Sequence, residues 1–112
     1  MQLYLMRHGE AGSAARDAER RLTERGRDDV AQVLCASRSR LNTPAAVFCS
    51  PLARARQTAA IALRELGGNA DLLVTPGLMP ESSPQSVVDL LDDRAGPVML
   101  VGHQPLMGGL LA

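Results

Sequence analysis

Apolar and polar positions along the chain sort into short unbroken apolar runs and longer mixed stretches. Residues 2–6, 45–49, 72–74 and 98–101 are short apolar runs that predict strands; the first does not alternate cleanly and the fourth has no polar face, which predicts those two to be buried on both faces. Between the first two runs, Val30, Val33, Leu34 and Ser37 fall on one helical face. That helix is predicted to start at Thr23 as N-cap and to end near Leu41 to Pro44. A second helix is predicted over 52–66, with Ser50 as N-cap, Pro51 at the first helical position and Gly67-Gly68 closing it. Residues 75–81 form a loop, Ser83-Pro84 opens a third helix through Leu91, and residues 92–97 make a turn. Leu106 to Ala112 starts another apolar helical segment. Strands alternating with helices give an α/β fold with a largely parallel sheet.

Length fits one domain over residues 1–112. The chain stops inside an apolar segment without a cap, so a C-terminal portion is expected to be missing. Leu106, Leu110 and Leu111 would then be exposed or packed against another chain, and a homodimer or poor solubility is expected. The formal charge is zero, from 12 basic residues (all arginine) against 12 acidic ones, which argues against a nucleic-acid or membrane-surface binder. No apolar run is long enough to cross a bilayer and no signal-peptide pattern opens the chain, so a cytoplasmic location is expected. Cys35 and Cys49 sit in apolar segments and read as small core residues rather than a disulfide or zinc pair.

The chain has two histidines, His8 and His103, and each follows an apolar run beside a glycine. In parallel α/β sheets, sites form beyond the carboxyl ends of the strands. Arg7 and His8 follow the first run, Ser50 and Arg54 the second, Gly102 and His103 the fourth. Taken singly, each is ordinary: a histidine after a strand is more often structural, and Arg54 more often a surface group. Two arginines and two histidines at one edge, with a helix N-terminus beside them, suit a dianionic phosphoryl group. Gly9 is expected to let the chain turn sharply after His8. A metal site is not expected, because two histidines are too few ligands and the arginines would repel a cation. Arg16, Asp17, Glu19, Arg20 and Arg21 read as solvated charge, Glu10 as the partner of a nearby arginine, and Arg56 as solvent-facing.

The blocks Arg7-His8-Gly9-Glu10, Ser50-Pro51-Leu52-Ala53-Arg54-Ala55-Arg56-Gln57-Thr58-Ala59 and Gly102-His103 resemble the three signature blocks of the histidine phosphatase superfamily. The short connection carrying Asp17, Arg20, Leu22, Thr23 and Gly26 is most similar to that of the SixA phosphohistidine phosphatases. The resemblance implies a three-layer α/β/α sandwich with a largely parallel (mixed) central sheet, phosphoglycerate mutase-like. It implies His8 as nucleophile, attacking phosphorus through one ring nitrogen while the other donates to a carbonyl. Arg7, Arg54 and His103 would line the phosphate pocket, with Ser50 and Gly9 among the substrate-binding groups and no cofactor. Glu81 is the candidate general acid, although SixA-like enzymes can lack one. The substrate would be phosphohistidine on a signalling protein. The alternatives are a small-molecule phosphomonoesterase or mutase, and a non-catalytic phosphate-binding module.

Overall fold

A computed structural model describes residues 3–91, 96–104 and 106–107. In chain order the elements are β1 (Leu3–Arg7), α1 (Glu24–Ser37), β2 (Ala46–Cys49), α2 (Ala53–Leu66), β3 (Asp71–Val74), α3 (Pro84–Leu91) and β4 (Val98–Gly102). Single 3-10 turns cover Asp17–Glu19, Arg38–Arg40 and Pro76–Leu78. The strands lie in the order β1-β4-β2-β3. The described sheet strands pair in parallel: β1 with β4 from Leu3↔Val98 to Arg7↔Gly102, β2 with β4 from Ala46↔Val98, and β2 with β3 from Ala46↔Asp71. The last strand in sequence is thus inserted between the first two.

Successive strand residues face opposite sides, so β2 and β4 feed two separate cores. On one side Val47, Cys49, Met99 and Val101 pack against Val30 and Leu34 of α1 and Ala55, Ala59 and Ala62 of α2. The three alanines are fully buried, so α2 lies close to the sheet along a short-side-chain face. On the other side Ala46, Phe48, Val98 and Leu100 pack against Leu78, Val87, Leu106 and Met107. Helices on both faces make the three-layer α/β/α arrangement. Each fully buried valine or leucine contributes about 1.5–3 kcal/mol relative to exposure.

The helix starts follow local chemistry. The Thr23 side chain accepts from the Gly26 amide at 2.9 Å and caps α1. α2 closes at Gly67, whose φ of 71° suits glycine and whose amide donates to the Leu63 carbonyl. Ser50-Pro51 does not open α2 as expected. The helix begins at Ala53 with Leu52 at its N-cap, because the Ser50 hydroxyl is drawn inward to His103; it still accepts from the Leu52 amide.

Other expectations are corrected. β1 is not buried on both faces: among the described strands it stands at the edge of the sheet, with Leu3 and Arg7 exposed, and the doubly covered strand is β4. α1 ends at Ser37 rather than near 41–44. Val33 is 57% exposed, since the face of α1 turned to the sheet carries Gly26, Val30 and Leu34. Cys49 is buried, but Cys35 sits on the exposed side of α1, and both are free thiols. Leu106 needs no second copy, being buried in the chain's own core; Leu110 and Leu111, and most of the turn expected over 92–97, lie outside the described residues. Gly9 serves space rather than a reversed turn. A Cβ there would lie 2.7 Å from the Val30 side chain, and one at Gly26 would lie 2.2 Å from the Glu10 carbonyl. The two glycines let the loop after β1 rest directly on the first turn of α1. No helix among the described residues is long and apolar enough to cross a membrane.

Candidate active site

Because β1, β4 and β2 are parallel neighbours, their carboxyl ends deliver three segments to one edge. The His8 amide donates to the Gly102 carbonyl at 3.1 Å, which ties the start of the first loop to the end of β4. His103 is the next residue after Gly102, and the two imidazoles meet with centroids 4.9 Å apart and planes tilted by 50°.

His8 is fixed by its own loop. Its Nδ1 lies 2.7 Å from the Gly9 carbonyl oxygen. A carbonyl only accepts, so Nδ1 carries the proton and Nε2 keeps a free lone pair. Gly9 is itself held, its amide donating to the buried Thr58 hydroxyl at 3.1 Å, which donates to the Arg54 carbonyl. The α2 helix therefore sets the His8 ring through Thr58 and Gly9. Burial lowers the His8 pKa below its ordinary 6.5, Gly9 opposes this, and the charges of Arg54, Arg7 and Arg20 lower it further.

His103 is held differently. Its ring is 2% exposed, and its Nε2 lies 2.5 Å from the Ser50 hydroxyl. Burial, the neighbouring His8 and Arg54 push its pKa down to about 4, with Asp17 acting the other way. Its Nδ1 is buried and unpartnered, as is Nε of Arg54. Two buried polar nitrogens without partners among the described residues, beside a buried arginine, are the mark of a site that takes an acceptor-rich anion.

Arg54 is 5% exposed and is aimed by Asp17: Nη1 donates to the Asp17 carbonyl at 2.9 Å and Nη2 to its carboxylate at 3.1 Å. The other carboxylate oxygen accepts from Arg20, 3.1 Å away, whose Nε donates to the Gly12 carbonyl. Hydrogen bonds from Arg54 and then Arg20 hold the Asp17 carboxyl below its ordinary range. Asp17 and Arg20, read from sequence as solvated charge, thus belong to the cluster. The signal for them in the sequence is their place, with Leu22, Thr23 and Gly26, in the connection that resembles that of the SixA phosphohistidine phosphatases.

The Arg7 residue is exposed at the end of β1, and its side chain makes no hydrogen bond or ion pair among the described residues. Ser50 and Gly9, expected among the substrate-binding groups, have their polar atoms taken by the protein: Ser50 by His103 and Leu52, Gly9 by His8 and Thr58. Glu81 is exposed in the turn after Leu78, and no hydrogen bond or ion pair joins it to the cluster; the carboxylate acting on His103 is Asp17. Glu10 partners no arginine, because its carboxylate accepts from the Thr23 hydroxyl at 2.9 Å. Arg56 is exposed, as expected. No group of three His, Cys, Asp or Glu side chains converges among the described residues as a metal site would require.

Comparison with known proteins places this geometry. Residues 3–80 match the histidine phosphatase superfamily (branch 1). The chain is 31% identical to the phosphohistidine phosphatase SixA of Escherichia coli (strain K12), over all of this chain and 73% of that one. It superimposes with a TM-score of 0.91 on the structure of the protein histidine phosphatase SixA complexed with tungstate, at 31% identity over all of this chain and 75% of that one. A phosphoglycerate mutase from Plasmodium falciparum shares the fold, with a TM-score of 0.73 at 18% identity over 97% of this chain and 65% of that one. With its sequence match over 3–80, its full-length likeness to SixA and the two paired histidines at the strand ends, the chain belongs to the histidine phosphatase superfamily and is SixA-like.

Proposed function

We propose that the protein is a phosphatase that removes the phosphoryl group from phosphohistidine on a partner protein, through a covalent intermediate on His8. The observation that carries this is the His8 Nδ1 contact to the Gly9 carbonyl, which leaves Nε2 unprotonated next to His103 and Arg54. Nε2 attacks phosphorus in line: a P–N bond forms to His8, the P–N bond of the substrate breaks, and the departing imidazole takes up a proton from solvent water. Water then attacks the phosphoryl group, the His8 P–N bond breaks, and inorganic phosphate leaves. Arg54, Arg7 and His103 stabilise the charge that spreads over the equatorial oxygens. Lowered pKa values keep both imidazoles neutral at physiological pH, which the attacking nitrogen requires.

The choice of phosphohistidine over an alkyl phosphate rests on the leaving group. An alkoxide needs a proton in the transition state, which a placed acid supplies at roughly 10²–10⁴-fold. The carboxylate in the cluster, Asp17, is held ionised by two arginines and cannot serve as that acid, and Glu81 lies apart. An imidazole leaves with far less help. The same reading puts the activity in the cytoplasm, where the free Cys35 and Cys49 stay reduced. The deciding experiment compares a phosphohistidine-bearing protein with an alkyl phosphate at equal concentration. Turnover of the first and near-silence on the second is expected. Equal rates on both would replace this reading with a general phosphomonoesterase.

A further inference from the structure

His103 raises a question that its position alone does not answer: which of its nitrogens carries the proton. Ser50 is fully buried, and its hydroxyl has two contacts among the described residues, the Leu52 amide at 3.3 Å and His103 Nε2. The amide can only donate, so it uses a lone pair of the hydroxyl oxygen. The hydroxyl proton then has a single acceptor within reach, Nε2. If Nε2 instead carried hydrogen, two donors would face the serine oxygen and its own buried proton would have no acceptor among the described residues, an arrangement that buried polar groups avoid. A doubly protonated ring would strand the same proton and add a charge beside Arg54. The single assignment that satisfies all three groups puts hydrogen on Nδ1, and that atom is the buried nitrogen left without a partner.

We infer that Ser50 is a positioning residue that fixes neutral His103 in the Nδ1–H form, so that His103 offers a hydrogen-bond donor, rather than a lone pair, to an oxygen of the bound phosphoryl group. Free histidine in water favours the opposite form, with hydrogen on Nε2, which would turn an acceptor toward an anion. The inference rests on the reading of this site as a phosphoryl site and adds to it the means by which an uncharged imidazole contributes binding. The depressed His103 pKa is consistent with a ring that stays neutral while donating.

Long-range 1H–15N NMR on the 112-residue chain tests this, with tungstate as the probe. In the wild-type protein His103 is expected to show a protonated Nδ1 and a bare Nε2, with the Nδ1 resonance moving when tungstate binds. Ser50→Ala should lose that form and weaken tungstate binding and kcat/KM by on the order of 10–100-fold, the usual cost of removing a partner that orients a functional histidine. Ser50→Thr, which keeps the hydroxyl, should restore the Nδ1–H form and most of the binding. Nε2–H in the wild type would overturn the inference even if Ser50→Ala fails to fold. Tungstate perturbing His8 and Arg54 while His103 shows Nε2–H would sink the inference alone; tungstate perturbing neither histidine would sink the phosphoryl reading beneath it.

Discussion

The two histidines look alike in sequence, each after a strand and beside a glycine, yet the fold treats them differently. His8 closes an edge strand, is half-buried, and takes its orientation from a backbone carbonyl one residue away. His103 closes the doubly covered central strand, is fully enclosed, and takes its orientation from a side chain 53 residues away. The first arrangement leaves a lone pair free at an accessible rim, as an attacking group needs. The second, on the inference above, leaves a proton donor in a buried wall, as a holding group needs. Under the proposed function, position in the sheet separates the two roles.

The largest effect should come from the attacking side. His8→Ala removes the proposed attacking nitrogen, and turnover should fall to background while circular dichroism and melting temperature stay close to wild type. Residual activity within tenfold of wild type would put the nucleophile elsewhere.

The holding side should cost less. Arg54→Ala should lower kcat/KM by about 10²–10³-fold, the range for removing one preorganised donor. His103→Ala should be slow as well but should still accept phosphate onto His8 in single-turnover labelling. Loss of labelling in His103→Ala, with His8 intact, would collapse the distinction between the two sites.

Asp17 sharpens the comparison at a smaller scale. Asp17→Asn keeps the backbone carbonyl contact to Arg54 but weakens the carboxylate one, so a roughly tenfold rise in KM with little change in kcat is expected. A kcat loss as large as that of Arg54→Ala would mean that Asp17 takes part in proton transfer.

pH separates the two histidines from ordinary surface ones. In the folded protein His103 titrates near 4 against 6.5 for an unperturbed histidine, and His8 is lowered too. Above pH 6.5 both states of the chain hold these rings neutral, so the histidines add no pH dependence to stability there. Between pH 6.5 and about 4 the unfolded chain binds protons that the folded one refuses, so folding stability should fall as pH falls through that window. The acid limb of kcat/KM should likewise lie below 6.5. Stability that rises on acidification across this range would show the histidines to be paired with carboxylates.

The architecture was legible because apolar runs and cap signals are local: β2, α2, α3 and β4 come within a few residues of their expected limits. The order of strands was not, since inserting β4 between β1 and β2 is a long-range decision, and it is what made β1 an edge. His8, Arg54 and His103 could be read at one edge because parallel strands share a direction. The roles of Asp17, Thr58 and Ser50 could not, because each is defined by a partner more than 35 residues away. Asp17 in particular lies among mixed charges, where solvation is the default reading.

The most direct test is where phosphorus resides during turnover. The wild-type protein, quenched in alkali within one turnover and digested, should carry acid-labile, alkali-stable phosphate on His8, forming and decaying fast enough to lie on the reaction path. Phosphate on His103 instead, or turnover with no phosphoenzyme at all, would contradict the division of labour between the two histidines.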